Sequence, residues 1–261
     1  MILRRWIFGD LESRSVNGQF ETFCSDFYIN QKLALTMDLP EGRESVLDLF
    51  GRIRRELPFL DRLKRYDGEY ALESEEIRGS YAWVAMRQTT LRSGWVNPER
   101  PEQAYRLHRL LLELAPYFLS VSPIEIDHLE LVFGFDFEVD RDRDEIIFEA
   151  LLADSPLAEM IDRSRETVID AQPCIGISIE DDPRIRSFFE IKSRPTQPGG
   201  PDSKDPISVY LTTRAVGPLK TLDELPSVFG ALAGHAERIC EERLIPSILV
   251  PIRRAILSRP C

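Results

Sequence analysis

The chain has 261 residues, of which 43% are hydrophobic and 30% charged, and a formal net charge of −11. That length suits one large domain or two modest ones and can build a core without disulfides or metal. Both halves are acidic, which disfavours phosphate backbones and anionic membranes as partners and suits a basic protein partner.

Residues 5–13 read as a short strand, with Val16-Asn-Gly-Gln as turn chemistry. In the aromatic-rich run from Phe20 to Met37, Phe23, Phe27, Ile29, Leu33 and Leu35 share odd positions, the mark of one buried strand face. Pro40-Glu-Gly-Arg-Glu opens a helix whose Val46, Leu49, Phe50, Ile53 and Leu57 form an apolar stripe, ended by Pro58. Strands are predicted near 62–74 and 80–92, with Trp83 in the core. Asn97-Pro98 then caps a long helix carrying Leu107, Leu110, Leu111, Leu114 and Phe118. The run from Ile124 to Val139 alternates almost throughout and is the clearest strand. A helix over 145–161 follows, capped by Asp144, and then strands near 168–180, 185–193 and 207–216. Pro195–Pro206 reads as a loop by composition. A last helix runs from about 221 to 244. The apolar tail after Pro246 either docks on the sheet or offers a helix to a partner.

The order of elements nearly repeats. If the strand at 126–139 closes one half and opens the other, each half reads β-α-β-β-α-β. The expectation is an α+β fold of two ferredoxin-like halves, residues 1–125 with an N-terminal extension and residues 126–261 with a C-terminal helical tail. Its sheet would be mainly antiparallel, with helices on one face. Thr89-Thr90 and Thr212-Thr213, each four residues before a glycine, suggest equivalent joints.

Phosphate-loop and dinucleotide fingerprints are absent from the sequence. Cys24, Cys174, Cys240 and Cys261 are scattered without a Cys-x-x-Cys pair, and Cys24 and Cys174 read as buried spectators. His108 and His235 read as boundary or surface residues beside helical stripes, and His128 as a residue near a strand start. Asp136, Glu138 and Asp140 lie at period two, a spacing that offers hard oxygen ligands to Mg2+ or Ca2+, though a solvated strand face explains them more simply. Arg52, Arg54, Arg55, Arg62, Lys64 and Arg65 cluster across a helix end and the next strand, and Trp95 is a candidate exposed anchor. These seven are the interface candidates. The sequence contains no catalytic set and no cofactor motif. It also lacks a run near the ~20 apolar residues of a membrane span, and the start is too short for a signal peptide, so a cytoplasmic protein is expected.

The element order, the strand Ile126–Val139 and the ending His235-Ala-Glu-Arg-Ile-x4-Leu-Ile-Pro246 resemble a sporadically distributed bacterial family of uncharacterised proteins about this long. That resemblance implies no activity and transfers no site residues. Tandem ferredoxin-like architecture is also similar to that of the CRISPR endoribonucleases that process guide RNA, but their C-terminal glycine-rich loop and basic surface are not apparent here. The sequence therefore favours a non-catalytic protein-binding or adaptor protein in a bacterial assembly, or one that self-associates. RNA binding through Arg52–Arg65 and metal-assisted hydrolysis through Asp136, Glu138 and Asp140 are the alternatives.

Overall fold

The computed structural model describes residues 24–39, 43–180, 182–193 and 206–258. The strand expected at 5–13, the start of the run at Phe20, Trp6, Pro40-Glu-Gly and most of the Pro195–Pro206 loop lie outside the described residues, as does Cys261.

Nine strands form one antiparallel sheet: β1 (Asp26–Leu35), β2 (Leu60–Tyr66), β3 (Glu69–Ser74), β4 (Tyr81–Arg87), β5 (Thr90–Val96), β6 (Ile126–Phe137), β7 (Cys174–Ser178), β8 (Ile185–Ser193) and β9 (Ile207–Val216). Their spatial order is β2-β3-β4-β5-β1-β6-β9-β8-β7. The helices are α1 (Arg43–Glu56), α2 (Pro101–Phe118), α3 (Arg143–Leu151), α4 (Leu225–Ile239) and α5 (Val250–Leu257). No described helix is long and apolar enough to cross a membrane.

The α+β class and the large antiparallel sheet are as expected, but the strand count differs. The stretches 62–74 and 80–92, each expected as one strand, fold over as the hairpins β2–β3 and β4–β5. Asp67-Gly68 turns the first, with Gly68 at φ 69°, which glycine adopts without strain. The first half is therefore β-α-β-β-β-β-α rather than β-α-β-β-α-β. In each half the first strand pairs with the last one, β1 with β5 and β6 with β9. The two halves meet at β1–β6, so Ile126–Phe137 is interior to the sheet. The Thr-Thr pairs are not equivalent: Thr90 opens β5, whereas Thr212 and Thr213 lie mid-strand in β9.

Strand alternation divides the side chains. The odd positions Phe27, Ile29, Leu33, Leu129, Leu131, Phe133, Phe135, Val209 and Leu211 are buried against the helices. The helix expected over 145–161 stops at Leu151 and resumes as a short 3-10 turn, Pro156–Met160. Asn97 does not cap α2, which begins at Pro101. It sits at φ 47°, where its side chain accepts from Phe27 N (2.9 Å) and donates to Asp26 (2.6 Å) and to the Gly79 carbonyl (3.1 Å). It thereby fastens the end of β5 to the start of β1. After α4 the chain continues through wider π-helical turns, Cys240–Leu249, which take Pro246 inside the helix. The tail is docked: Leu249 and Ile252 are fully buried, and the Arg141 guanidinium donates to the carbonyls of Ala255 (3.2 Å) and Ser258 (3.1 Å).

Candidate functional site: the open face of the sheet

The opposite positions, even in most strands but odd in β3 and β4, point away from the helices, and among the described residues no helix covers them. Register places residues of neighbouring strands in rows across this face. One row runs Lys64, Ala71, Ala85, Arg92, Lys32, Glu130, Arg214, Arg186 and Ser178 from β2 to β7. It is a belt of five cations interrupted by one carboxylate. At about 4.8 Å between strands, Lys64 and Arg186 stand roughly 34 Å apart.

The next row is aromatic and small: Glu73, Trp83, Gly94, Asn30, Val132, Thr212, Phe188 and Gly176. Beyond it come Tyr81, Val96, Tyr28, Gly134, Tyr210, Glu190 and Cys174. Glycines let the rings lie flat on the sheet. A Cβ at Gly94 would stand 2.5 Å from the Trp83 ring, and one at Gly134 only 2.0 Å from the Tyr28 ring. The rings in turn carry cations: Arg92 over Trp83 at 5.8 Å, Arg214 over Phe188 at 5.6 Å and Lys192 over Tyr210 at 5.7 Å.

Glu130 is the hub of the belt and is buried at 6% exposure. Its carboxylate accepts from Lys32 Nζ (3.1 Å) and Arg214 Nε (2.7 Å), with His128 Nε2 at 3.6 Å. Burial pushes this carboxyl up, but His128, Lys32 and Arg214 outweigh it and hold it at about 2. Arg92 pairs with Glu69, and Lys64 with Glu73 at 2.6 Å. Arg87 and Arg186 have no carboxylate partner among the described residues. Counting the outer rows, Lys32, Arg62, Lys64, Arg87, Arg92, Arg186, Lys192 and Arg214 outnumber Asp26, Glu69, Glu73, Glu130, Asp136 and Glu190 on this face. Among the described residues, an acidic chain thus presents an excess of positive charge on its open side.

The sequence-derived candidates fall in several places. Arg62 and Lys64 reach the open face from the edge strand β2. Arg52 pairs with Glu56 along α1 at 2.8 Å, and Arg62 with Glu75 at 2.7 Å. Arg54 and Arg55 end α1. Arg65 points to the helical side, over the Tyr70 ring. The group is not one patch. The two tryptophans exchange their expected places. Trp95 turns toward the helices against the Phe59 ring, at 5.4 Å between centroids, while Trp83 lies half-buried on the open face. Asp136 accepts from Tyr28 OH (3.2 Å) and Ser208 Oγ (2.6 Å), and the Glu138 backbone N–H donates to Ser25 Oγ. Among the described residues no three His, Cys, Asp or Glu side chains are placed to hold a metal, Asp136, Glu138 and Asp140 included. A polar depression of 610 Å³ at the β2–β3 turn, between Arg65, Asp67 and Arg87, lies off the belt.

Two histidines expected near the surface are buried between helix and sheet. Ser93 Oγ donates to Gln31 Oε1 (3.0 Å) and lies 2.8 Å from His108 Nδ1. In the other half, Ser187 Oγ lies 3.1 Å from His235 Nε2. Burial pushes His108 down to about 3 and lowers His235, which Arg238 and Arg243 lower further. Both imidazoles are neutral at pH 7. The missed signal was the stripe Ala104, His108, Leu111 and Ala115, in which the histidine holds an apolar position. Cys174, expected buried, is exposed.

No family model and no curated protein matches the chain. Among solved structures it is similar to the di-domain ARO/CYC BexL from the BE-7585A biosynthetic pathway. The identity is 10%, over 89% of this chain and 99% of that one, with a TM-score of 0.22. So low a TM-score does not establish a common fold.

Proposed function

We propose that this is a non-catalytic protein-binding protein whose partner docks on the open face of the sheet through an acidic surface. The cation belt carries this reading. Positive charge is concentrated on the face that no described helix covers, although the chain as a whole carries a net charge of −11. Complementary charge steers encounter and sets orientation more than it adds affinity. The half-buried aromatics beside the belt supply the apolar contact that such a surface needs. RNA is the competing ligand, because aromatics beside cations also suit stacked bases. Here the rings already carry Arg92, Arg214 and Lys192, so a base would have to displace a cation before stacking.

The architecture supports a finer reading as well. A strand, a helix, a meander and a closing helix, with the first strand beside the last, is a helix-grip-like order, and it occurs in both halves.

Fluorescence anisotropy with a labelled oligoglutamate peptide and a labelled single-stranded RNA of equal charge tests the proposal at low and moderate salt. Salt-sensitive binding of the peptide is expected, weakened at least tenfold in R87E/R186E, which alters two exposed residues without carboxylate partners among the described residues. Tighter binding of the RNA, or no peptide binding at low salt, contradicts it.

A further inference from the structure

We infer that a second copy of this chain pairs with β7, antiparallel and edge to edge, about a twofold axis through Gly176.

The two edges of the sheet differ in character. β2 is guarded: Asp61, Arg62, Lys64 and Arg65 charge most of its length, the usual protection of an edge against pairing. β7 reads Cys174-Ile-Gly-Ile-Ser178, without a charge, and leaves Ile175 61% exposed. Among the described residues no strand lies on its outer side.

Hydrogen-bond parity fixes which groups face out. Ile191 N donates to Pro173 O, and Ile179 N to Ile185 O. The odd residues of β7 therefore bond inward to β8, and the N–H and C=O groups of Cys174, Gly176 and Ser178 point outward. An antiparallel copy centred on Gly176 sets Gly176 against Gly176 and Cys174 against Ser178, all as hydrogen-bonded pairs. Every outward backbone group of the strand is then satisfied.

The side chains agree with that register on both faces. On the helical side Ile175 meets Ile177 of the second copy. Ile175 also lines a 340 Å³ groove with Leu151, Leu152, Phe189, Ile191 and Ile248, so the pairing extends apolar cover over it. On the open side Phe188 already leans over Gly176, where a Cβ would stand 3.0 Å from its ring, and the twofold brings the two Phe188 rings to either side of the axis. Glu190 is beside Cys174, and Arg186 beside Ser178. Each Glu190 thus shares a row with Arg186 of the second copy, opposite charges on a face where Arg186 has no carboxylate partner among the described residues of its own copy.

Sedimentation velocity on the full chain tests the pairing, expected at micromolar concentration to give twice the 30.0 kDa of one chain. Ile175→Lys charges the edge at an exposed position. It should return the chain to a single-copy mass with unchanged circular dichroism. Ser178→Cys tests the register. Opposed Cα atoms of a hydrogen-bonded pair lie about 5.5 Å apart, within disulfide reach. Mild oxidation with diamide should link Cys174 to the cysteine introduced at position 178 of the other copy, located by peptide mass spectrometry. A single-copy mass for the wild-type chain, a dimer that Ile175→Lys leaves intact, or a dimer lacking that linkage would each overturn the inference.

Discussion

Glu130 and His108 are the two buried titrating groups whose states matter most, and both lose stability in acid. The Glu130 carboxyl is depressed from 4.5 to about 2, so its contribution is complete above pH 4.5 and lost as pH falls toward 2. His108 is depressed from 6.5 to about 3. Below pH 6.5 only the unfolded chain binds that proton, at a cost of about 1.4 kcal/mol per pH unit. Between pH 6.5 and 5 the histidines act without Glu130. Urea unfolding across that window should show stability falling with acidification, and His108→Leu should flatten the slope, with His235 leaving a remainder. Glu130→Gln leaves Lys32 and Arg214 facing an uncharged partner. Because both cations are about a third exposed, the expected loss is about 2 kcal/mol rather than the larger penalty of a fully buried pair, read from the shift in urea midpoint at pH 7. The odd-position core of β1 and β6 was legible because strand period alone assigns it. The hub was not, since Glu130 stands two residues from His128 and Val132 in an ordinary mixed run, and only cross-strand register brings Lys32 and Arg214 to it.

At the scale of elements, turns and glycines decide the pattern. Asp67-Gly68 is a strong hairpin dipeptide. It was hidden inside a run whose flanking charges read as one long polar strand. Gly68 and Gly134 should respond to alanine for different reasons. At Gly68 nothing lies within 4 Å of a new Cβ, so the cost is the left-handed backbone alone, about 1 kcal/mol. At Gly134 the Cβ collides with Tyr28, and the ring must leave the sheet, at about 2 kcal/mol or more. Thermal unfolding of the two variants should rank them in that order, and the reverse order would contradict the flat packing of Tyr28. The long C-terminal helix was legible as apolar periodicity. Its passage through Pro246 was not, because a proline ordinarily ends or kinks a helix. Here the wider π-helical turns take it up.

For the whole molecule, the net charge was plain from composition, but its segregation was not. Whether a lysine or arginine reaches the open face depends on strand parity, and whether the cations align depends on the register of nine strands. No single segment carries that information. The basic group read from Arg52 to Arg65 followed proximity in sequence, and the sheet divides it between an α-helix, a guarded edge and two opposite faces. The belt that replaces it draws Lys64, Arg92, Lys32, Arg214 and Arg186 from five strands. Carbodiimide coupling of an oligoglutamate peptide to the native chain, located by mass spectrometry, tests the docking face most directly. Lys32, Lys64 and Lys192 all project from the open face, whereas Lys220 lies in the connection before α4. Coupling at the first three that is lost at high salt is the expected result. Coupling confined to Lys220, or none at any lysine of the open face, would contradict the assignment of that face as the docking surface.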